Sequence, residues 1–524
     1  MTSRMTIGRR GFLAGTASGL ALASAAGLPR PALAQAQAQH GGRLRVSVDQ
    51  AASVLNPILH RVNPEYLLGE LLYSALTRLD MRMAPQPDLA ESWHPNDDLT
   101  VWDFTLRAGV SFHDGSTLSA DDVVATFEKI MDEATGSAAR TRIGPVETVE
   151  ALDARTVRFT LSGPYADLPV ALAYTNAKIV PAGIARGDFE RLNREAVGTG
   201  PFRLVDYDPE RIAVVERNPD YHDPERPYLD RVEMVVYPDP TAEAAALMAG
   251  DTDLMIRVNP TDYDRVAGAD GIAGMRTASG QFLNVNMRCD QPPFDDPRVR
   301  KALALAVDRN ALVEFAAEGF GTVGADTPIS PAYRFHTELP AREMNIAEAK
   351  RLMEEAGHGD GLDITLVASE RPATRTQLAV AMREMARPAG FNIEVRTMAH
   401  ATYLDQVWRQ GKFYVGFYNM QPTADGIFTL LFTSDSSWNE TRWNNKEFDA
   451  RVEAARKTVD VGQRQRLYAE AQQIQHDGVP AVIPVFFDLL AARRDYVHDY
   501  PNHPRGAIFR LDQVWLDDTA PSRG

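Results

Sequence analysis

Between Trp408 and Trp443 the chain sets nine aromatic side chains in 36 residues (Trp408, Phe413, Tyr414, Phe417, Tyr418, Phe428, Phe432, Trp438 and Trp443), 25% against 8% for the whole sequence. Aromatic faces strip water from a guest while a few polar groups orient it, so the chemistry on offer is recognition by a cleft wall. A packed core is the plainer reading, and Tyr414 and Tyr418 stand in a strand-like run that would serve it. Tyr418, Trp438 and Trp443 are the aromatics expected at a ligand. Bond-making chemistry has no comparable support. The sequence holds no G-x-S-x-G elbow, no H-E-x-x-H pair and no Walker A loop, so no catalytic residue is expected. One G-x-G-x-x-G, at Gly319, Gly321 and Gly324, follows a helical pattern and runs into Ala325-Asp326-Thr327-Pro328. A glycine-rich loop is expected there, not a dinucleotide site. Eleven histidines form no short-spaced ligand set, and lone Cys289 can make neither an internal disulfide nor a thiolate cluster, so neither metal nor cofactor is expected.

The elements that would position such a wall follow from period and caps. Phe104 and Leu106 alternate with Thr105 and Arg107 as in a half-buried strand, and His113-Asp114-Gly115-Ser116 supplies a turn. Ser119 is placed as an N-cap, with the Asp122 carboxylate three residues on to meet free backbone N–H groups. Asp296 caps a helix beginning at Pro297, with Val299, Leu303, Ala306 and Val307 on one face. Asn345 caps another that buries Leu352 and Met353 and closes at Gly357, before the strand Leu362–Val367. A further α/β step runs from Gln377 to Val395. Strands at Gly42–Val48, Arg203–Val205, Ala213–Val215 and Val232–Tyr237 are expected to share a sheet.

The first residues carry Arg9-Arg10-Gly11-Phe12-Leu13, a mildly apolar run from Ala14 to Leu28, then Ala32-Leu33-Ala34. This pattern predicts a twin-arginine (Tat) signal peptide over 1–34, with periplasmic delivery and a soluble mature chain. Losing its four arginines takes the formal charge from −16 to −20, a balance that disfavours nucleic acid and anionic lipid. About 490 mature residues exceed one ordinary core, so two or more lobes are expected.

Five blocks carry a family likeness. Pro87-Asp88-Leu89-Ala90-Glu91-Ser92-Trp93 precedes the Phe104–Asp122 unit. Gly198-Thr199-Gly200-Pro201-Phe202 leads to Glu216-Arg217-Asn218-Pro219-Asp220-Tyr221, and Pro238-Asp239-Pro240-Thr241-Ala242 to Ala246–Asp253. Pro293–Leu303 and Trp443–Asp449 follow. In this order they resemble the periplasmic solute-binding proteins that serve peptide and nickel ABC importers. The resemblance implies an α/β fold, a bilobed clamshell with an extra subdomain in the first lobe. Lobe I would comprise 41–85, 198–284 and 487–524, the extra subdomain 86–197, and lobe II 285–486. Hinge crossings would lie near Asn284-Val285-Asn286 and Pro484-Val485-Phe486.

It further implies that Arg371-Pro372 matches a pair that, in dipeptide-binding relatives, offers a guanidinium to a terminal carboxylate. Asp425 falls near an aspartate that holds a peptide's amino terminus, with a plain turn residue as an equal reading. His400 stands where a cleft tryptophan occurs, with a surface loop histidine as the alternative. The implied activity is capture of a di- or oligopeptide, or a peptide-like solute, by a monomer that delivers it to an inner-membrane ABC permease. A nickel or metallophore carrier of the same fold, or a Tat-exported enzyme, are the alternatives.

Overall fold

Two long strands, Ile272–Met287 and Ala481–Arg494, run antiparallel through the middle of the molecule and are buried along most of their inner lengths. In this computed structural model residues 37–340 and 342–523 are described; the expected signal segment 1–34 lies outside them. The strands pair from Ile272 opposite Arg494 to Asn286 opposite Ala481, with irregularities between Ala278 and Gln281 and between Leu283 and Val285. On one side the sheet continues through Leu254–Met255, Arg43–Val48, Arg231–Val236, Ile212–Arg217 and Phe202–Asp208. On the other it continues through Phe413–Tyr418, Leu362–Ser369 and Phe391–Met398. Pairing with Phe413–Tyr418 begins at Phe282. The strand Ile272–Met287 therefore gains its second neighbour at Phe282, just after the irregularity at 278–281, while keeping Ala481–Arg494 as its partner on both sides.

A separate four-stranded sheet, in the order Ala90–Pro95, Val101–Leu106, Thr156–Leu161, Val146–Ala151, packs against the helix Ala120–Met131 through Phe127 on Phe159 at 5.0 Å, while Phe104 meets Phe159 at 5.4 Å within the sheet. Its cap is the one read from sequence: the Asp122 carboxylate accepts from the Ser119 N–H at 2.8 Å and its hydroxyl at 2.9 Å. Asp296 and Asn345 cap their helices likewise, accepting from Arg298 N and Glu348 N.

The glycine-rich stretch differs from expectation. Gly321–Val323 is a short strand paired with Val485–Phe487, and a Cβ at Gly324 would fall 2.2 Å from the Ile483 carbonyl oxygen. Close backbone approach, and not phosphate binding, uses these glycines.

Each flank of the sheet has its own core, one around Leu44, Val46 and Phe104, the other around Leu283, Leu303 and Leu378. A third cluster joins Leu79, Met83 and Val170 to Phe282, Phe428 and Phe486, so apolar residues of both halves meet. Cys289 packs against it, its thiol pushed up to about 11 by burial.

Candidate functional site

Among the cavities that open where the halves meet, two bear on the expected residues. The first, ≈ 290 Å³, is walled by Ile256–Pro260 and Tyr500–Phe509 from one half, by Pro372, Thr374 and Phe417 from the other, and by Gln281 and Phe487–Leu490 of the central strands. The second, ≈ 380 Å³, lies between Thr141–Pro145 beside the four-stranded sheet and the stretch from Gln421 to Leu430, with Arg456 behind.

Beside the second cavity the halves touch directly. Arg142 Nη1 donates to Gln421 Oε1 at 2.8 Å, and Ala166 N to the Arg456 carbonyl at 2.9 Å. Asp167 and Arg464, both buried, meet at 2.6 Å. That last contact is a charge contact without hydrogen-bond alignment, since Arg464 Nη2 has no hydrogen-bond partner.

Local chemistry shapes both walls. The helix Ala424–Leu431 starts where the Thr423 hydroxyl accepts from Gly426 N at 2.9 Å. The Tyr500–Phe509 wall has no long regular element. It is pinned by Asn502 Nδ2, which donates to Leu489 O and Thr277 Oγ1 at 3.1 Å each, and by His503 Nε2, which donates to Asp80 O at 3.0 Å. Burial holds the His503 imidazole down at about 4, so near neutrality it is uncharged and its Nδ1 is free to accept from Arg505 N at 3.3 Å.

Glu243, on the helix Pro240–Ala249, is buried and lifted to about 7, chiefly by desolvation and further by Asp49, with Ser47 and the wall residue Arg257 opposing. A raised carboxyl binds its proton more tightly in the folded chain, so the folded state is penalised as pH rises from the ordinary glutamate value towards 7. Stability should therefore fall by about 3 kcal/mol across that window through this group. Glu243→Gln should flatten that part of a urea-unfolding series taken between pH 4.5 and 7.5, and an unchanged slope would refute the assignment.

The expected residues fall in different layers. Asp425 lines the larger cavity but is buried, its Oδ1 accepting from Arg456 Nε at 3.0 Å and Thr429 Oγ1 at 3.4 Å. Arg371 is exposed beside the wall residue Pro372. His400 begins the helix His400–Gln406, with Nδ1 2.9 Å from Ser369 Oγ, which also accepts from Arg371 N. Tyr418 is buried, its hydroxyl donating to Glu440 Oε1 at 2.6 Å. Trp438 packs edge-on to Trp408 at 5.2 Å, under the Arg409 guanidinium at 4.3 Å. Trp443 is buried on Phe448 and against Gly478. Neither tryptophan lines either cavity. Sequence reasoning passed over Arg142, Gln281, Gln421 and the Tyr500–Phe509 wall; the bracketed Pro501-Asn502-His503-Pro504 was the one local hint of the last.

Residues 84–441 match the family of bacterial extracellular solute-binding proteins, family 5 (middle). The chain belongs to that family. This solute-binding protein is 27% identical over 460 residues to the glutathione-binding protein GsiB of Escherichia coli K12, covering 85% of this chain and 89% of the relative. It is 25% identical over 511 residues to the oligopeptide-binding protein AppA of Bacillus subtilis 168, covering 91% and 92%. The unliganded open form of the periplasmic murein tripeptide-binding protein MppA superposes with a TM-score of 0.82 at 20% identity, over 91% of this chain and 98% of that one. Solved neighbours share the bilobed α/β fold. The family match contains the blocks at Pro87–Trp93, Gly198–Phe202 and Pro293–Leu303 on which the resemblance rested. These relatives are binding proteins by name, one for glutathione and one for oligopeptides. Among the described residues of this solute-binding protein no helix is long and apolar enough to cross a membrane.

Proposed function

We propose that this chain is the periplasmic, Tat-exported solute-binding component of an ABC importer, a monomer that takes a small peptide or peptide-like solute between its lobes and hands it to the inner-membrane permease. The observation that carries the reading is the ≈ 290 Å³ cavity, whose walls come from both halves. Ligand pockets run from about 300 to 1,000 Å³, so this one suits a solute at the small end of that range. Its apolar walls (Ile256, Val258, Phe417, Phe487, Phe509) desolvate a guest, and Asn63, Gln281, Thr374 and Asn502 supply sparse orienting groups. The names of the relatives, one glutathione-binding and one oligopeptide-binding, support the peptide class.

Arg371 would approach from the rim beside Pro372, and Asp425 would border the larger cavity. His400, Tyr418, Trp438 and Trp443 would support the wall from behind. A guest touching both lobes favours their contact over their separation, and that contact is what a permease could read. Among the described residues no group of three or more His, Cys, Asp or Glu could hold a metal ion, so the nickel alternative would need an organic chelator.

A solute binding only the native chain adds about 2.7 kcal/mol at a hundredfold excess over its Kd. Thermal unfolding of the mature protein with a panel of di- and tripeptides should show that gain for at least one member. A panel that shifts nothing would defeat the peptide reading.

A further inference from the structure

The ≈ 290 Å³ and ≈ 380 Å³ cavities share no lining residue, and a row of side-chain amides runs from the wall of one to the wall of the other. Gln281, at the smaller cavity, donates through Nε2 to Asn419 Oδ1 at 3.0 Å. Gln421, at the larger, donates through Nε2 to the Asn419 carbonyl at 3.4 Å, and its Oε1 accepts from Arg142 Nη1 at 2.8 Å. The row therefore starts on the central strand Ile272–Met287 and crosses the link between Phe413–Tyr418 and Ala424–Leu431. It ends beside the four-stranded sheet, so it is complete only while the halves are together.

Its base is firm and its bonds are weak. Met420, 2% exposed, lies against Gly280 so closely that a Cβ there would fall 2.6 Å from Met420 Cγ, and Gln421 N donates to the buried Tyr333 hydroxyl at 3.0 Å. The side chains above that base reach solvent: Asn419 and Arg142 are exposed, Gln281 and Gln421 half-buried. All but Arg142 are neutral, so water competes for each bond, and losing one shifts an equilibrium by about threefold to tenfold. A peptide backbone brings its own donors and acceptors, so it can enter such a row, though only in exchange for the bonds already there.

We infer that Gln281, Asn419, Gln421 and Arg142 form a bar that selects solutes by length. A short peptide fills the smaller cavity with the bar intact. A longer one reaches the larger cavity only by parting it, and its affinity falls by about tenfold for the bonds lost. This rests on the peptide reading above and narrows it to the short members of the class.

Competition within a mixed pool tests the inference. The mature protein is incubated with a casein hydrolysate and isolated by gel filtration, and the retained peptides are sorted by length in a mass spectrometer. The unaltered chain should retain mainly di- and tripeptides. Gln421→Ala removes the bonds to both Asn419 and Arg142 and should raise the ratio of longer to shorter peptides by about tenfold. Asn419→Ala removes only the bond to Gln281 and should raise it by about threefold. Gln421→Glu should lower the ratio, since a carboxylate holds Arg142 by a stronger, charge-assisted bond. A ratio is insensitive to any general loss of affinity, and circular dichroism checks that each variant folds. Ratios unchanged in every variant, or long peptides dominant on the unaltered chain, would overturn the bar while leaving a peptide-binding protein. A pool from which nothing is retained would defeat the peptide reading and the bar with it.

Discussion

Replacing Arg464 with methionine should weaken the contact between the halves by about 3–5 kcal/mol, because Asp167 is then left as a buried carboxylate without its cation. Methionine keeps the apolar stem where Arg464 now lies over the Phe335 ring at 4.8 Å, so the loss reports charge and not packing. The chain has an escape: Asp167 belongs to the segment beside the four-stranded sheet and Arg464 to the helix Val461–Gly478, and parting the halves at this seam rehydrates the carboxylate. The variant should therefore populate an open form, seen as a larger radius of gyration in scattering, with solute affinity reduced by up to about a hundredfold. Adding Asp167→Asn removes the stranded charge and should recover most of the loss. If the double variant is as weak as the single one, the two residues are not coupled and the latch is elsewhere.

Local chemistry was legible and distant chemistry was not. The caps at Ser119, Asp296 and Asn345 act within three residues, so type and spacing were enough to place them. Gly321 and Gly324 read locally as a loop, yet their partners in Ala481–Arg494 lie some 160 residues on, and pairing across that distance overrides local preference. Aromatic density located a buried wall without saying which way each ring faces. In the strand Phe413–Tyr418, Phe417 reaches the cavity while the next residue turns away to Glu440, a partner that composition cannot nominate. The smaller cavity draws on segments from Asn63 to Phe509, and its C-terminal wall has no period to detect. Only the family blocks, read in order, pointed to a cleft between lobes.

Glu440→Ala should cost about 3–5 kcal/mol, comparable to the loss at Arg464, for a different reason. The carboxyl is 2% exposed and accepts from Tyr418 Oη at 2.6 Å and Asn286 Nδ2 at 2.5 Å, while Asn286 Oδ1 takes Asn284 Nδ2 at 2.7 Å and Trp408 Nε1 reaches the Tyr418 hydroxyl at 3.3 Å. Alanine would strand two buried donors and leave a void under the strand whose glycine, Gly416, makes room for Asn284. Desolvation raises the carboxyl's pKa, so charge is the disfavoured state of Glu440 and hydrogen bonding is its main service. Glu440→Gln keeps shape and one acceptor oxygen, and reorienting the Tyr418 hydroxyl can meet the new amide, so its cost should be about 1 kcal/mol. Chemical unfolding of the two variants side by side separates the roles. Equal losses would mean that the negative charge itself is needed, as a partner for buried Arg375, whose pKa the Glu440 carboxylate raises against the larger, opposite effect of burial.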